Sequence, residues 1–233
     1  MKIQLSDHFT YHRLIKFVLP SIIMMVCTSI YSIVDGLFVS NYVGKTPFAA
    51  INLIMPIATG IGTIGFMIAT GGSAIVSKTL GEGKKDLANQ YFSLLVYTAA
   101  AISVCLGILG FIFIRPLSAL LGATGEMLTA CVIYGKILCL ALPAFILQVI
   151  FQNFFIVAEK PTLSLSVSLL SGFTNIVLDF LFIAVWQWGI AGAAIATALG
   201  QILGTLIPIF YFSGKSNRLL QLTKTKFNGR ILL

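Results

Sequence analysis

Charged residues punctuate long apolar runs along this chain. Between Leu14 and Tyr42 the only charges are Lys16, near the start, and Asp35, near the end. Thr46 to Ser77 and Leu87 to Ile114 carry none. Met127 to Ala158 holds only Lys136, and Pro161 to Gly214 only Asp179, with the Trp186-Gln187-Trp188-Gly189 cluster splitting that last stretch in two. A helix needs about 20 predominantly apolar residues to cross a bilayer. The pattern therefore predicts six spans, over 14–42, 48–77, 88–114, 127–157, 163–185 and 189–213. The ten-residue alternation of membrane β-strands does not occur. The predicted class is an all-α polytopic membrane protein, with 1–213 as a six-helix lobe and 214–233 as a basic tail or the start of a connector.

Composition narrows the class further. Of 233 residues 58% are apolar and 9% charged, and mean hydropathy is +1.00. Soluble domains carry roughly a quarter charged residues, so an ordinary cytoplasmic enzyme, a nucleic-acid-binding module and a disordered tail are all excluded. The net charge of +8 does not point to nucleic acid, because the basic residues fall in loops. Residues 1–13 do not resemble a cleaved signal, and the first apolar run is too long for one. The four cysteines (Cys27, Cys105, Cys131 and Cys139) lie in or beside apolar runs without a CxxC pair, and read as small packing residues.

Orientation follows from the Lys/Arg bias. Six spans put both termini on one side. That side receives Lys2, Arg13, Lys16, Lys78, Lys84, Lys85, Lys160, Lys215, Arg218, Lys224, Lys226 and Arg230, against Lys45 and Arg115 opposite. Both termini are therefore expected in the cytoplasm, in a multi-pass protein of the cell membrane. Trp186 and Trp188 would then sit at the outer interface. The basic tail, with its scattered apolar residues, reads as a segment along the inner membrane surface. The Gly81–Asp86 stretch lacks the GxxxxGK[ST] spacing of a phosphate loop. His8 and His12 read as surface residues.

Asp35 and Asp179 carry the chemistry. An Asp at a span's centre costs about 2.5–3.5 kcal/mol. Asp35 lies seven residues before Tyr42 and Asp179 seven before Trp186, while Thr197 follows Gly189 by eight. At 1.5 Å per residue all three fall roughly 10 Å below the outer end. Asn175 precedes Asp179 by four, so the two share a face. Oxygen donors of this kind suit a hard cation or a proton rather than zinc or copper. One proton or one sodium ion would relieve the repulsion between two carboxylates. Alternatively, each Asp bonds a neighbouring helix and fixes packing; a pair at equal depth favours the shared guest.

Pro20 removes a hydrogen bond from the first helix. It reads either as a hinge coupled to Asp35 or as a static kink. Pro56, Pro143 and Pro208 are further kink positions. Gly60, Gly62 and Gly65, and Gly189, Gly192, Gly200 and Gly204, are expected to allow close helix packing. Lys136 reads as snorkelling outward, with pairing to a carboxylate or an anionic ligand as the alternative.

The chain resembles the N-terminal half of the multidrug and toxic compound extrusion (MATE) family. The resemblance rests on Pro20 with Ile33-Val34-Asp35-Gly36-Leu37-Phe38-Val39, on Gln152-Asn153 with Glu159-Lys160-Pro161, on Asn175-Ile176-Val177-Leu178-Asp179, and on Trp188 to Thr197. It implies one six-helix lobe of a twelve-helix antiporter that exports cationic, amphipathic compounds in exchange for H+ or Na+. It implies a cation or proton site at Asp35, Asn175, Asp179 and Thr197, with Asn153 of the fourth helix taking part, and a hinge at Pro20. Depth counting, however, puts Asn153 near the cytoplasmic end of its helix. Membrane lipids, small cationic substrates and a second six-helix lobe are the expected partners, with no nucleic acid and no cofactor beyond the coupling ion. The second lobe would be a missing half or a second copy, and the closing residues, which form no natural stop, favour a fragment. Two other classes are a lipid-linked saccharide flippase, which would line its cavity with several Arg or Lys, and a non-transporting half. An enzyme is not expected, since no metal cluster or nucleophile–base pair stands at either membrane face.

Overall fold

The computed structural model describes residues 11–214 and 219–223, apart from the side chains of 12–14 and 16. Lys2, His8 and the tail residues Lys215, Arg218, Lys224, Lys226 and Arg230 lie outside the described residues, as does the His12 side chain. Lipid offers the backbone no hydrogen-bond partners, so long apolar runs become helices. The helices are α1 (Tyr11–Phe38), α2 (Lys45–Gly81), α3 (Lys85–Leu120), α4 (Gly125–Val157), α5 (Pro161–Asp179) and α6 (Gly189–Ser213). Each crossing segment is long and apolar enough to span a membrane. α1 continues into a π-helical turn, Val39–Val43, and α5 into another, Phe180–Val185.

Several helices overrun their predicted ends, α2 and α3 at both ends. α2 starts at Lys45, and α3 passes through Arg115 and Pro116 to Leu120. A charge marks where the apolar run stops, not where the backbone ladder must stop; the Arg115 side chain is exposed. α1 runs unbroken through Pro20. The α2–α3 turn uses Gly83 at φ +77°, and Pro161 opens α5 where its missing N–H has no intrahelical partner to lose.

α4 is the hub. It packs on α2, α3 and α6, while α5 joins α6 to α1. α1 leans chiefly on α5, and α2 meets the Val39–Val43 turn. Two apolar clusters lie at opposite ends of the bundle. One stacks Phe92, Phe151, Phe154, Phe155 and Phe212, and the other gathers Ile51, Ile54, Ile114, Tyr134, Ile183 and Ala193. Gly62 and Gly65 bring α2 against Phe145 and Ile146 of α4, and Gly200 meets the Ser171 carbonyl of α5. Gly60 differs from expectation, facing open space, and Gly189 serves a turn at φ +60°. Of the cysteines, Cys131 and Cys139 are buried and Cys105 is exposed.

Of the chain after α6, residues 219–223 are described, and they dock on the bundle. Leu220 is fully buried in the phenylalanine cluster. The Leu222 N–H donates to the Phe212 carbonyl (2.9 Å), satisfying an orphan acceptor at the end of α6. The Gln221 N–H donates to Asn89 Oδ1 (2.9 Å) and the Thr223 N–H to Ser93 Oγ (2.8 Å), both on α3. Asn89→Ala is expected to speed amide exchange at residues 219–223 relative to the rest of the bundle, a change read by hydrogen-exchange mass spectrometry. Unchanged exchange there would mean that Leu220 and the bonds from Leu222 and Thr223 hold the strap without Asn89.

Candidate ion site and its cavity

Asp35 stands one turn before the end of α1, and Asp179 is the last residue of α5. Both helices pass into π-helical turns just beyond their Asp. Such an insertion adds a residue to the turn and re-aims the neighbouring side chains. The two turns touch one another, and the Asp35 and Asp179 carboxyls meet within interaction reach. Asp179 is fully buried and Asp35 is 8% exposed. Asn175 lies one turn before Asp179, and its Nδ2 reaches Thr197 Oγ1 of α6 at 3.5 Å.

The fold adds Tyr134 of α4, which the pattern of charges does not single out. Its ring is fully buried, and its hydroxyl faces both carboxylates and Thr197. Tyr134 follows Gly125 by nine residues, roughly 14 Å of helix. The depth count that brings Thr197 level with the aspartates would have found it.

Among the described residues, four buried side-chain oxygens have no hydrogen-bond partner: Asp35 Oδ1, both Asp179 oxygens and the Tyr134 hydroxyl. All four belong to this cluster. An unsatisfied buried polar group costs about 1–3 kcal/mol, and more when charged. An all-oxygen set of this kind can accept a proton between carboxylates or coordinate a small hard cation.

Asn153 is not brought to the cluster. Its Nδ2 donates to the Val149 carbonyl at 2.9 Å. It lies 19 residues along α4 from Tyr134, roughly 28 Å away. Pro20 stands 15 residues before Asp35, roughly 22 Å down α1. Asp35, Asn175, Asp179 and Thr197 are brought together.

The cluster borders a cavity of about 350 Å3 between α1, α2, α4, α5 and α6. Tyr134, Asn175 and Thr197 line one end, and Gln148 and Gln201 the other, with Tyr31 and Phe145 among the walls. At the far end Gln148 Nε2 donates to Ser171 Oγ (3.3 Å), which donates to the Gly200 carbonyl (2.6 Å). Gly204 leaves the room that Gln148 occupies. Among the described residues no Lys or Arg lines this space. A mostly apolar cavity with a few polar groups suits an amphipathic guest.

Known proteins share this architecture. The chain is 28% identical over 211 residues to the multidrug export protein MepA of Staphylococcus haemolyticus, covering 90% of this chain and 46% of that protein. It is 29% identical over 209 residues to MepA of Staphylococcus saprophyticus, covering 89% and 46%. The chain thus spans about half the length of the curated relatives it matches. Among solved structures, a MATE protein in the straight conformation superposes with a TM-score of 0.87 at 22% identity, over 94% of this chain and 49% of that one. An outward-facing multidrug resistance MATE transporter of the MOP superfamily gives 0.87 at 23%, with the same coverage. At those identities the likeness establishes the fold. The MatE family model matches residues 20–181, and with six helices in the arrangement of one MATE lobe, the chain belongs to the MatE family of membrane transporters.

Proposed function

We propose that the chain is the ion-coupling N-terminal lobe of a multidrug antiporter that exports cationic, amphipathic compounds in exchange for H+ or Na+. The observation that carries this reading is the concentration of all four unpartnered buried oxygens at Asp35, Asp179 and Tyr134, beside an apolar cavity. With the site empty, the two carboxylates repel each other and present negative charge to the cavity, which favours a cationic guest. A proton or sodium ion entering between Asp35 and Asp179, with Asn175 and Thr197 in support, cancels that charge. The cationic guest loses its electrostatic hold and leaves. The π-helical turns beyond each Asp give α1 and α5 a place to adjust as occupancy changes. Pro20, with no N–H to give, provides a bending point in the other half of α1.

Alternating access needs a second lobe to rock against, so the working transporter is this lobe joined to a second six-helix lobe. The Lys/Arg bias supports a cytoplasmic position for both termini and, with it, an ion site in the outer half of the membrane. The absence of Lys and Arg from the cavity's lining among the described residues argues against a pyrophosphate-linked cargo. The test is transport by vesicles holding this lobe joined to a second six-helix lobe of the family. Asp35→Asn with Asp179→Asn is expected to reduce ethidium movement driven by a proton or sodium gradient to the rate seen without a gradient. Gradient-driven transport at the wild-type rate in that double variant overturns the reading.

A further inference from the structure

A second polar feature lies on the outer flank of the bundle, away from the cavity. Arg115 of α3 and Lys136 of α4 line one groove of about 540 Å3, together with Phe111, Ile112, Thr129 and Ile133. Lys136 and Tyr134 are two residues apart on one helix, about 200° around its axis. The groove and the ion site therefore occupy opposite faces of α4. Phe111, Ile112 and Ile133 are 36%, 60% and 39% exposed, on two helices long and apolar enough to cross a membrane.

Both cations lie in membrane-crossing helices. Arg115 is five residues short of the end of α3, roughly 8 Å, and Lys136 is eleven residues in from the start of α4, roughly 16 Å. Lys136 Nζ stands 4.9 Å over the Phe111 ring, a contact that attracts a cation without neutralising it. Neither group has a carboxylate partner among the described residues, where the ion pair found is Lys84–Glu82 at the far end of the bundle. Glu126, the acid nearest in sequence on α4, is ten residues from Lys136, roughly 15 Å along the axis. Two uncompensated like charges at this depth are costly, and one anion between them removes the cost. The anion available at that depth on a hydrocarbon-facing surface is a lipid phosphate.

We propose that the α3–α4 groove binds an anionic phospholipid from the leaflet opposite the Gly81–Lys84 turn. The Arg115 guanidinium takes the headgroup phosphate through its paired N–H donors. Lys136 meets the same phosphate or the glycerol backbone from below. Thr129, whose own bond to the Gly125 carbonyl is long at 3.4 Å, offers its hydroxyl. An acyl chain then covers Ile112 and Ile133. Closeness of α3 and α4 makes the groove's floor firm, since Gly135 brings the α4 backbone against Ile114.

The test is native mass spectrometry of the purified chain after exchange into mixed micelles of phosphatidylglycerol and phosphatidylcholine. Wild type is expected to retain phosphatidylglycerol in preference to phosphatidylcholine by about tenfold. Arg115→Gln with Lys136→Gln is expected to bring that preference to near unity, and Lys136→Arg to keep it. Ile112→Trp, which fills the groove and leaves both charges, is expected to reduce retention as well. Lys84→Gln with Lys85→Gln, at the other end, is expected to change nothing. The proposal is overturned if the Arg115/Lys136 pair keeps the wild-type preference, if the Lys84/Lys85 pair loses it equally, or if millimolar inorganic phosphate alone displaces the lipid.

Discussion

Replacing Asp179 with leucine is expected to raise the lobe's melting temperature and to abolish its response to ions. Asp179 is fully buried and neither of its oxygens has a hydrogen-bond partner. Its opposing group is another carboxylate, which cannot donate unless it carries a proton. Exchange of buried charges for apolar groups of similar volume stabilises folded proteins by about 1–4 kcal/mol in known cases. Asp179→Asn is the gentler version, keeping the shape and adding a donor for Asp35. The ion response runs the other way. A guest that binds the folded site alone stabilises the wild type by about 2.7 kcal/mol at a hundredfold excess over its Kd. Melting curves in detergent, with and without sodium and across pH, separate the two effects. The wild type should gain stability as its guest is supplied, and both variants should start higher and stay flat. A lower starting point for both would show that the acid is a structural fastening, and an undiminished ion response would remove it from the site.

Gly107→Ala is expected to be among the most damaging single changes in the helix–helix seams. A Cβ there would stand 2.7 Å from the Cys139 carbonyl oxygen, closer than such atoms approach in folded proteins. The obstacle is α4 backbone, so no side chain can swing aside; α3 or α4 must shift. Overpacking of this kind typically costs about 1–3 kcal/mol. Gly110→Ala meets Cys139 Sγ at the same 2.7 Å. That collision ends with the sulfur, so Cys139→Ala should rescue Gly110→Ala while leaving Gly107→Ala unrescued. Gly60→Ala, facing open space, should be neutral or gain up to about 1 kcal/mol from helix propensity. Thermal unfolding of the five proteins decides the matter. Rescue of Gly107→Ala by Cys139→Ala would show that the two backbones have more slack than the 2.7 Å approach implies.

The six helices were legible because charges interrupt the apolar runs and lipid leaves a long apolar run no other stable form. Their ends were less so, as α3 shows by running past Arg115 to Leu120. The meeting of Asp35, Asn175, Asp179 and Thr197 could be anticipated because helical rise is constant and residues four apart share a face. Tyr134 is not legible from the sequence's apolar pattern, because an aromatic residue in an apolar run counts as core, whatever its hydroxyl does. The two π-helical turns have no compositional mark, since one extra residue per turn leaves hydropathy unchanged. Gly60 and Gly107 look alike in sequence, and only the direction each faces separates them. The strap at 219–223 depends on Asn89 and Ser93, more than a hundred residues away, and its own residues, Leu219 to Thr223, do not name those partners.

Trp186 and Trp188 are the chain's two tryptophans. Their rings are 5.1 Å apart, and each stacks on Phe182, at 5.3 and 4.9 Å. The π-helical turn that begins immediately after Asp179 ends at Val185, just before Trp186. All indole emission from this polypeptide therefore originates at one spot, seven to nine residues along the backbone from the buried acid. Any rearrangement of that turn alters the stacking and so the intensity and wavelength of the light. The lobe thus carries an unlabelled optical gauge on the turn that follows the proposed ion-binding acid.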